Sequence, residues 1–150
     1  MRAVIQRVNR ASVTVHNEVV GKIDTGLFVL LGYEESDDET SIEWLLKKIL
    51  SMRIFSDAEG KMNLSVEDVS GGLLLISQFT LHASTKKGNR PSFIKAARPE
   101  KAEGLYNLTI ARTKELFNGP VETGRFGEHM IIDAQNDGPV TITMDTANKE

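Results

Sequence analysis

Cysteine is missing from the 150 residues. That excludes a disulfide scaffold, a thiol nucleophile and any cysteine-ligated metal or cluster. The three histidines, His16, His82 and His129, lack metal-ligand spacing, so no metal or other cofactor is expected. No apolar run reaches the roughly 18 residues that a membrane-spanning helix needs. The first residues enter an alternating pattern at once, without the apolar stretch and cleavage site of a secretory signal. A soluble cytoplasmic protein with no membrane partner is the resulting expectation. Also missing are a Gly-rich phosphate loop, a dinucleotide fingerprint and a nucleophile elbow. What remains is a reaction without a cofactor, or binding alone.

A hydrophobic content of 40% with 26% charged residues suits an ordinary globular chain, so residues 1–150 are read as one domain. The net charge of -3 gives no general attraction to nucleic acid, but its distribution is uneven. Glu34, Glu35, Asp37, Asp38 and Glu39 form an acidic run. Lys86, Lys87, Arg90, Lys95, Arg98 and Lys101 lie close together with Glu100 the one acid among them. Such a basic segment suits a phosphate backbone, although a solvated loop has the same composition.

Val4 and Val8, then Val13 and Val15, alternate with polar residues in two short runs broken by Asn9-Arg10-Ala11. Residues 19–23 and 27–32 follow, and together these read as an antiparallel meander. The continuous apolar Phe28-Val29-Leu30-Leu31 predicts a strand buried on both faces. Ser36 with Glu39 reads as a capping box, opening a helix through Ile42, Leu45, Leu46 and Ile49. Arg53-Ile54-Phe55 reads as a short strand and residues 73–81 as the strongest strand. Arg98-Pro99-Glu100 opens a second helix along Leu105, Leu108, Arg112 and Leu116, ended by Asn118-Gly119-Pro120. Residues 130–133 and 140–144 read as closing strands. The fold class is therefore α/β (α+β): a single domain with a curved, barrel-like, mostly antiparallel sheet and two main helices.

Two segments carry chemistry. Ser77-Gln78-Phe79-Thr80 places three hydrogen-bonding side chains in an apolar run, where a buried amide costs free energy unless it is partnered. As a strand, its period of two puts Gln78 and Thr80 on one face and Ser77 and Phe79 on the other. Gly138-Pro139 interrupts the last strand region, freeing the backbone and removing a donor, so that carbonyls there can face a ligand. Thr80 is the candidate nucleophile, yet a threonine hydroxyl needs a base. His82 could share its face, and Asp137 is expected to serve the turn. Without a base, backbone donors can still stabilise an oxyanion, which favours a substrate that is already an activated ester.

Gln6-Arg7-Val8, Ala11-Ser12-Val13, Arg53-Ile54-Phe55, residues 57–63, Ser77-Gln78-Phe79-Thr80-Leu81, Asn89-Arg90-Pro91-Ser92-Phe93, Thr123-Gly124-Arg125-Phe126 and Asn136-Asp137-Gly138-Pro139-Val140-Thr141 together resemble the D-aminoacyl-tRNA deacylase family of the bacterial and eukaryotic type. The resemblance runs over residues 1–144. It implies hydrolysis of the ester between a D-amino acid and the terminal ribose of tRNA. It also implies action on glycyl-tRNA mischarged on tRNA-Ala, and thus chiral proofreading in translation. It implies a homodimer with the site at the subunit interface. Ser77, Gln78, Phe79 and Thr80 would line the catalytic pocket beside the 3′-terminal adenosine of aminoacylated tRNA. Gly138 and Pro139, joined by a cis bond, would reach into the other subunit's pocket, capture the α-ammonium and exclude an L side chain. Arg7 would brace that loop, and Met130 and Asn136 would lie beside it. The RNA's own 2′-hydroxyl would supply the missing base, with Thr80 positioning the substrate. Lys86, Lys87 and Arg90 are candidate RNA contacts on charge. Two other readings stay open: a non-catalytic aminoacyl-tRNA-binding module, and a Thr- or His-dependent esterase.

Overall fold

The computed structural model describes residues 1–149. The chain forms strands β1 (Arg2–Val15), β2 (Glu18–Ile23) and β3 (Gly26–Gly32), then helix α1 (Glu39–Ser51). Strands β4 (Phe55–Ser56), β5 (Met62–Leu64) and β6 (Gly72–Ser77) follow, then a 3-10 turn over Phe79–His82. Helix α2 (Pro99–Leu116), β7 (Val121–Thr123) and β8 (Ile131–Asp145) complete it. The main sheet runs β2-β1-β3-β6-β7, with β8 on the other edge of β1. β1 pairs antiparallel with β2, β3 and β8, whereas β3–β6 and β6–β7 are parallel. The sheet curls until β2 meets β7: a Cβ added to Gly21 would stand 2.7 Å from the Thr123 carbonyl oxygen. This gives the nearly closed, barrel-like sheet with two helices that the strand pattern predicts.

The curl divides the interior into two cores. Leu27, Val29 and Leu31 of β3, with Leu73 and Leu75 of β6, pack in the core that holds Ile42, Leu45, Leu46 and Ile49 of α1. Phe28, Leu74 and Ile76 face the second core with Val8, Ala11 and Val13. β3 is therefore buried on both faces, as its unbroken apolar run predicts.

In β1, α1, β4 and α2, three boundaries and one buried face differ from the sequence reading. β1 is one strand, not two runs broken at Asn9-Arg10-Ala11. Its alternation changes phase where Arg7 and Val8 are both buried, because the strand leaves one core and enters the other. The N-cap of α1 is Asp38, not Ser36, since the Asp38 carboxylate accepts the Ser41 N–H at 3.1 Å. Asp37 is occupied elsewhere: its carboxylate accepts from the Met1 α-ammonium at 2.6 Å and the Glu34 N–H at 2.7 Å. The short strand after α1 starts at Phe55 rather than Arg53. The buried stripe of α2 is Ala102, Leu105, Tyr106, Thr109 and Thr113; of the predicted positions Leu105 lies in it, Leu108 packs half-buried against the same core, and Leu116 is exposed. Thr109 and Thr113 are accommodated there because each hydroxyl donates to the carbonyl four residues back, at 2.7 Å.

Candidate functional site

The strand predicted over residues 73–81 ends early. At Gln78 the chain turns, its N–H donating to the Leu31 carbonyl at 2.7 Å, and Phe79–His82 winds into the 3-10 turn. The period-of-two argument therefore fails at Gln78, Phe79 and Thr80. The turn pairs Gln78 with Thr80 by another route: the Gln78 amide donates to the Thr80 hydroxyl. Phe79 and Thr80 are exposed, while Ser77 and Gln78 are half-buried at the end of β6. The first N–H groups of such a turn have no partner inside it, and those of Phe79 and Thr80 make no backbone hydrogen bond outside it among the described residues. In these two exposed residues the donors stay without a backbone partner.

Thr80 has no base. Its side-chain partner is an amide, which cannot take a proton. His82 does not share its face: the imidazole is buried, with Nδ1 2.9 Å from Glu34 Oε1. That removes the nucleophile-and-base geometry on which a Thr- or His-dependent esterase would rest.

The second group forms around Arg7. Gln6 pairs with Thr141 and Val8 with Asn136, so Arg7 alone faces residues 137–140 of β8. The excess chain is extruded from the sheet and carries Gly138 and Pro139, both exposed, joined by a cis peptide bond. The two closing strands predicted on either side are thus one strand, β8, carrying a wide bulge. Gly138 has φ +122, where L side chains are strained, and a Cβ there would stand 2.9 Å from Val140 Cγ2 and 3.1 Å from Arg7 Nη2. Arg7 is largely buried. Its Nε donates to the Asp137 carbonyl at 3.3 Å and lies 3.0 Å from Asp137 Oδ2, while Nη1 donates to the Ile54 carbonyl at 2.6 Å. Asp137 serves the turn through this arginine.

Met130 belongs to a third patch. It packs against the second core, close enough to Gly124 that a Cβ there would lie 2.4 Å from its sulfur and 2.9 Å from Ile76. Nearby, the rings of Tyr106 and Phe126 stack at 6.1 Å. Among the described residues no hydrogen bond joins the Arg7–Gly138 group to the Ser77–Thr80 turn within one chain.

The basic run divides. Ser84 and Ser92 exchange backbone hydrogen bonds of 2.8 and 3.0 Å, closing a loop whose exposed tip carries Lys86, Lys87 and Arg90. None of these three makes an ion pair among the described residues. At the start of α2, by contrast, Lys101 donates to the Glu35 carbonyl and the Arg98 N–H to the Glu35 carboxylate. Phe93, on the return limb, meets the Phe79 ring edge-on with centroids 5.1 Å apart. Neither this contact, nor Arg2 Nη1 donating to the Leu81 carbonyl at 3.0 Å, had a signal in the sequence: both join positions far apart in the chain.

No helix is long and apolar enough to cross a membrane, and no cluster of three or more His, Cys, Asp or Glu could hold a metal ion, among the described residues.

The pattern of the family described as D-Tyr-tRNA(Tyr) deacylase matches residues 4–145. A protein of Akkermansia muciniphila named D-aminoacyl-tRNA deacylase is 55% identical over 150 residues, covering 100% of both chains. Its namesake in Chloroherpeton thalassium is 51% identical, covering 100% of this chain and 99% of its own. The solved structure of a c-Myc DNA unwinding element binding protein superposes with a TM-score of 0.92 at 42% identity, covering 97% of this chain and 98% of that one. A probable eukaryotic D-amino acid tRNA deacylase gives 0.81 at 17% identity, with 95% and 97% covered, a likeness of fold alone. Matched from end to end by relatives at about half identity, the chain belongs to the D-Tyr-tRNA(Tyr) deacylase family and is a hydrolase acting on ester bonds.

Proposed function

We propose that the chain hydrolyses the ester of D-aminoacyl-tRNA, releasing the D-amino acid and free tRNA, and rejects the L-aminoacyl ester. The observation that carries this reading is the extruded Gly138–Pro139 loop: one arginine of β1 faces four residues of β8, and the surplus leaves the sheet with its backbone exposed. A chirality filter built from main chain is indifferent to the identity of the side chain it admits. The carbonyls around Gly138 and Pro139 hold the substrate's α-ammonium. With the ammonium fixed, an L side chain is driven into backbone, while glycine has nothing to clash. Glycyl-tRNA mischarged on tRNA-Ala is therefore a second substrate.

The loop acts in the pocket of a second copy. β8 supports this: among the described residues it pairs with β1 alone, and it is 15 residues long and mostly exposed, an unprotected edge that monomeric proteins seldom keep. The opposing pocket is the turn from Ser77 to Thr80, with Met130 and Asn136 at its margins. Water adds to the ester carbonyl, assisted by the 2′-hydroxyl of the terminal ribose. The developing oxyanion takes hydrogen bonds from the Phe79 and Thr80 N–H groups. The C–O bond to the ribose then breaks, and the ribose oxygen takes up a proton. Positioning an ester that is already labile accounts for rate without a protein base. Lys86, Lys87 and Arg90 lie along the phosphates of the acceptor strand. Chiral proofreading in the cytoplasm is the corresponding cellular role.

The test is release of tyrosine from D-tyrosyl-tRNA and L-tyrosyl-tRNA side by side, with and without EDTA. Fast release from the D ester alone is expected, unchanged by EDTA and abolished when the terminal 2′-hydroxyl is absent. Equal release from both esters would overturn the filter, and binding without release from either would leave a binding module.

A further inference from the structure

We propose that His82 is a positioning residue of this reaction: its buried imidazole, set against Glu34, fixes the Phe79–His82 turn so that the leading N–H groups stay aimed at the ester. The inference rests on the deacylase reading and gives it a residue that touches no substrate.

The His82 side chain is wholly buried, and neither ring nitrogen has an aligned hydrogen-bond partner among the described residues. Leaving such a group unpaired costs free energy that an apolar side chain of similar size would avoid. Among the described residues the polar group at ion-pair distance from the ring is the Glu34 carboxylate, 2.9 Å from Nδ1. Close approach to that carboxylate, without an aligned hydrogen bond, is what sets the place of the ring.

The backbone is shaped to admit the ring. Gly32, at the end of β3, lies beneath it: a Cβ there would stand 3.0 Å from His82 Cδ2, 3.1 Å from Nε2 and 2.9 Å from the Gln78 carbonyl oxygen. Glu34 is a fixed anchor. Its N–H donates to Asp37, its carbonyl accepts from the Asp37 N–H at 3.1 Å, and its backbone bridges to Ala96 at the far end of the basic loop. The turn is tied at Gln78 by the Leu31 carbonyl and at Leu81 by Arg2, whose Nε donates to Asp145 at 2.9 Å. His82 supplies the third tie, at the end of the turn.

The experiment compares the full-length protein with His82→Phe, His82→Gln and Glu34→Gln. It reads kcat and KM on D-tyrosyl-tRNA, the melting midpoint, and amide exchange at Gln78 and Ala83, whose N–H groups hold the turn. His82→Phe fills the space without a polar atom; the expected result is a loss of about tenfold in kcat with KM within about twofold. Exchange at Ala83 accelerates while the melting midpoint holds. Glu34→Gln follows in the same direction. His82→Gln, which restores a donor toward Glu34, recovers a substantial part of kcat. Unchanged kcat in His82→Phe overturns the proposal, as does a loss that tracks the melting midpoint without recovery in His82→Gln. If the unaltered protein releases no D-tyrosine, the deacylase reading fails. Exchange at Gln78 and Ala83 then decides the role of His82, and unchanged exchange in His82→Phe overturns it.

Discussion

The Arg7 guanidinium lies 3.0 Å from the Asp137 carboxylate across the widest irregularity of the sheet, and the same Nε donates to the Asp137 backbone carbonyl. One side chain thus fixes both the charge and the main chain of the residue that launches the Gly138–Pro139 loop. Its other arm ends on the Ile54 carbonyl, so the loop is tied to the segment after α1.

Replacing Arg7 with lysine keeps the charge but removes the fork that reaches Asp137 and Ile54 together. Unfolding free energy is expected to fall by about 2 kcal/mol, the range for hydrogen bonds to a charged group. Hydrolysis of D-tyrosyl-tRNA falls by at least about tenfold, equivalent to ~1.4 kcal/mol in the transition state. Denaturant titration and initial rates check the two effects separately. A variant with the parent rate would show that the brace has no functional consequence.

Gly138→Ala tests the loop itself. The backbone at φ +122 and the 2.9 Å approach to Val140 leave no room for a Cβ. Residues held in such regions cost about 1–3 kcal/mol, here confined to an exposed loop. The expected result is a fall in melting temperature of about 2–4 °C for each kcal/mol, together with a large loss of D over L discrimination, read from paired rates on the two esters. Retained discrimination would mean that Gly138 is not part of the filter.

The cations at the tip of the 84–92 loop contribute little to folding. Replacing Lys86, Lys87 and Arg90 with alanine is expected to change stability by no more than about 0.5 kcal/mol for each substitution. KM for aminoacyl-tRNA should rise. The slope of log affinity against log salt should flatten by about 0.7–0.9 for each phosphate that is no longer neutralised. A salt slope equal to that of the unaltered protein would remove this loop from the RNA interface.

Burial pushes the Tyr106 phenol up to about 12, only partly offset by its hydrogen bonds. Its hydroxyl donates to the Leu75 carbonyl at 2.8 Å. Burial raises Tyr33 in the same direction. A folded-state value above the unfolded one leaves the stability intact below pH 10 and removes it as pH rises from 10 to about 12. At 1.36 kcal/mol per unit, Tyr106 alone accounts for roughly 2–3 kcal/mol of that alkaline loss. Tyr106→Phe is expected to flatten the decline, as measured by urea midpoints between pH 9 and about 12. An unaltered slope would show that the phenol is not held protonated by the fold.

Much of this protein follows from local pattern. The two-sided burial of β3, the apolar face of α1, the proline at the first turn of α2 and the motifs at 77–80 and 138–139 are each legible within a few residues. Their cause is local: side-chain period, capping chemistry and the absent N–H of proline. What the tertiary structure decided lies where distant segments compete for the same group. Asp38 caps α1 because Asp37 is taken by Glu34 and the Met1 ammonium. β6 stops at Ser77 because the Gln78 N–H finds the Leu31 carbonyl of a neighbouring strand. β1 runs unbroken through Asn9-Arg10-Ala11 because its second half meets a different core. Arg7, an ordinary basic residue in an alternating strand, becomes the brace of the loop only because β8 lies beside it with three residues too many. A sequence carries the propensity of each segment, but the partner that claims a given donor or carboxylate is set by the chain's return in three dimensions.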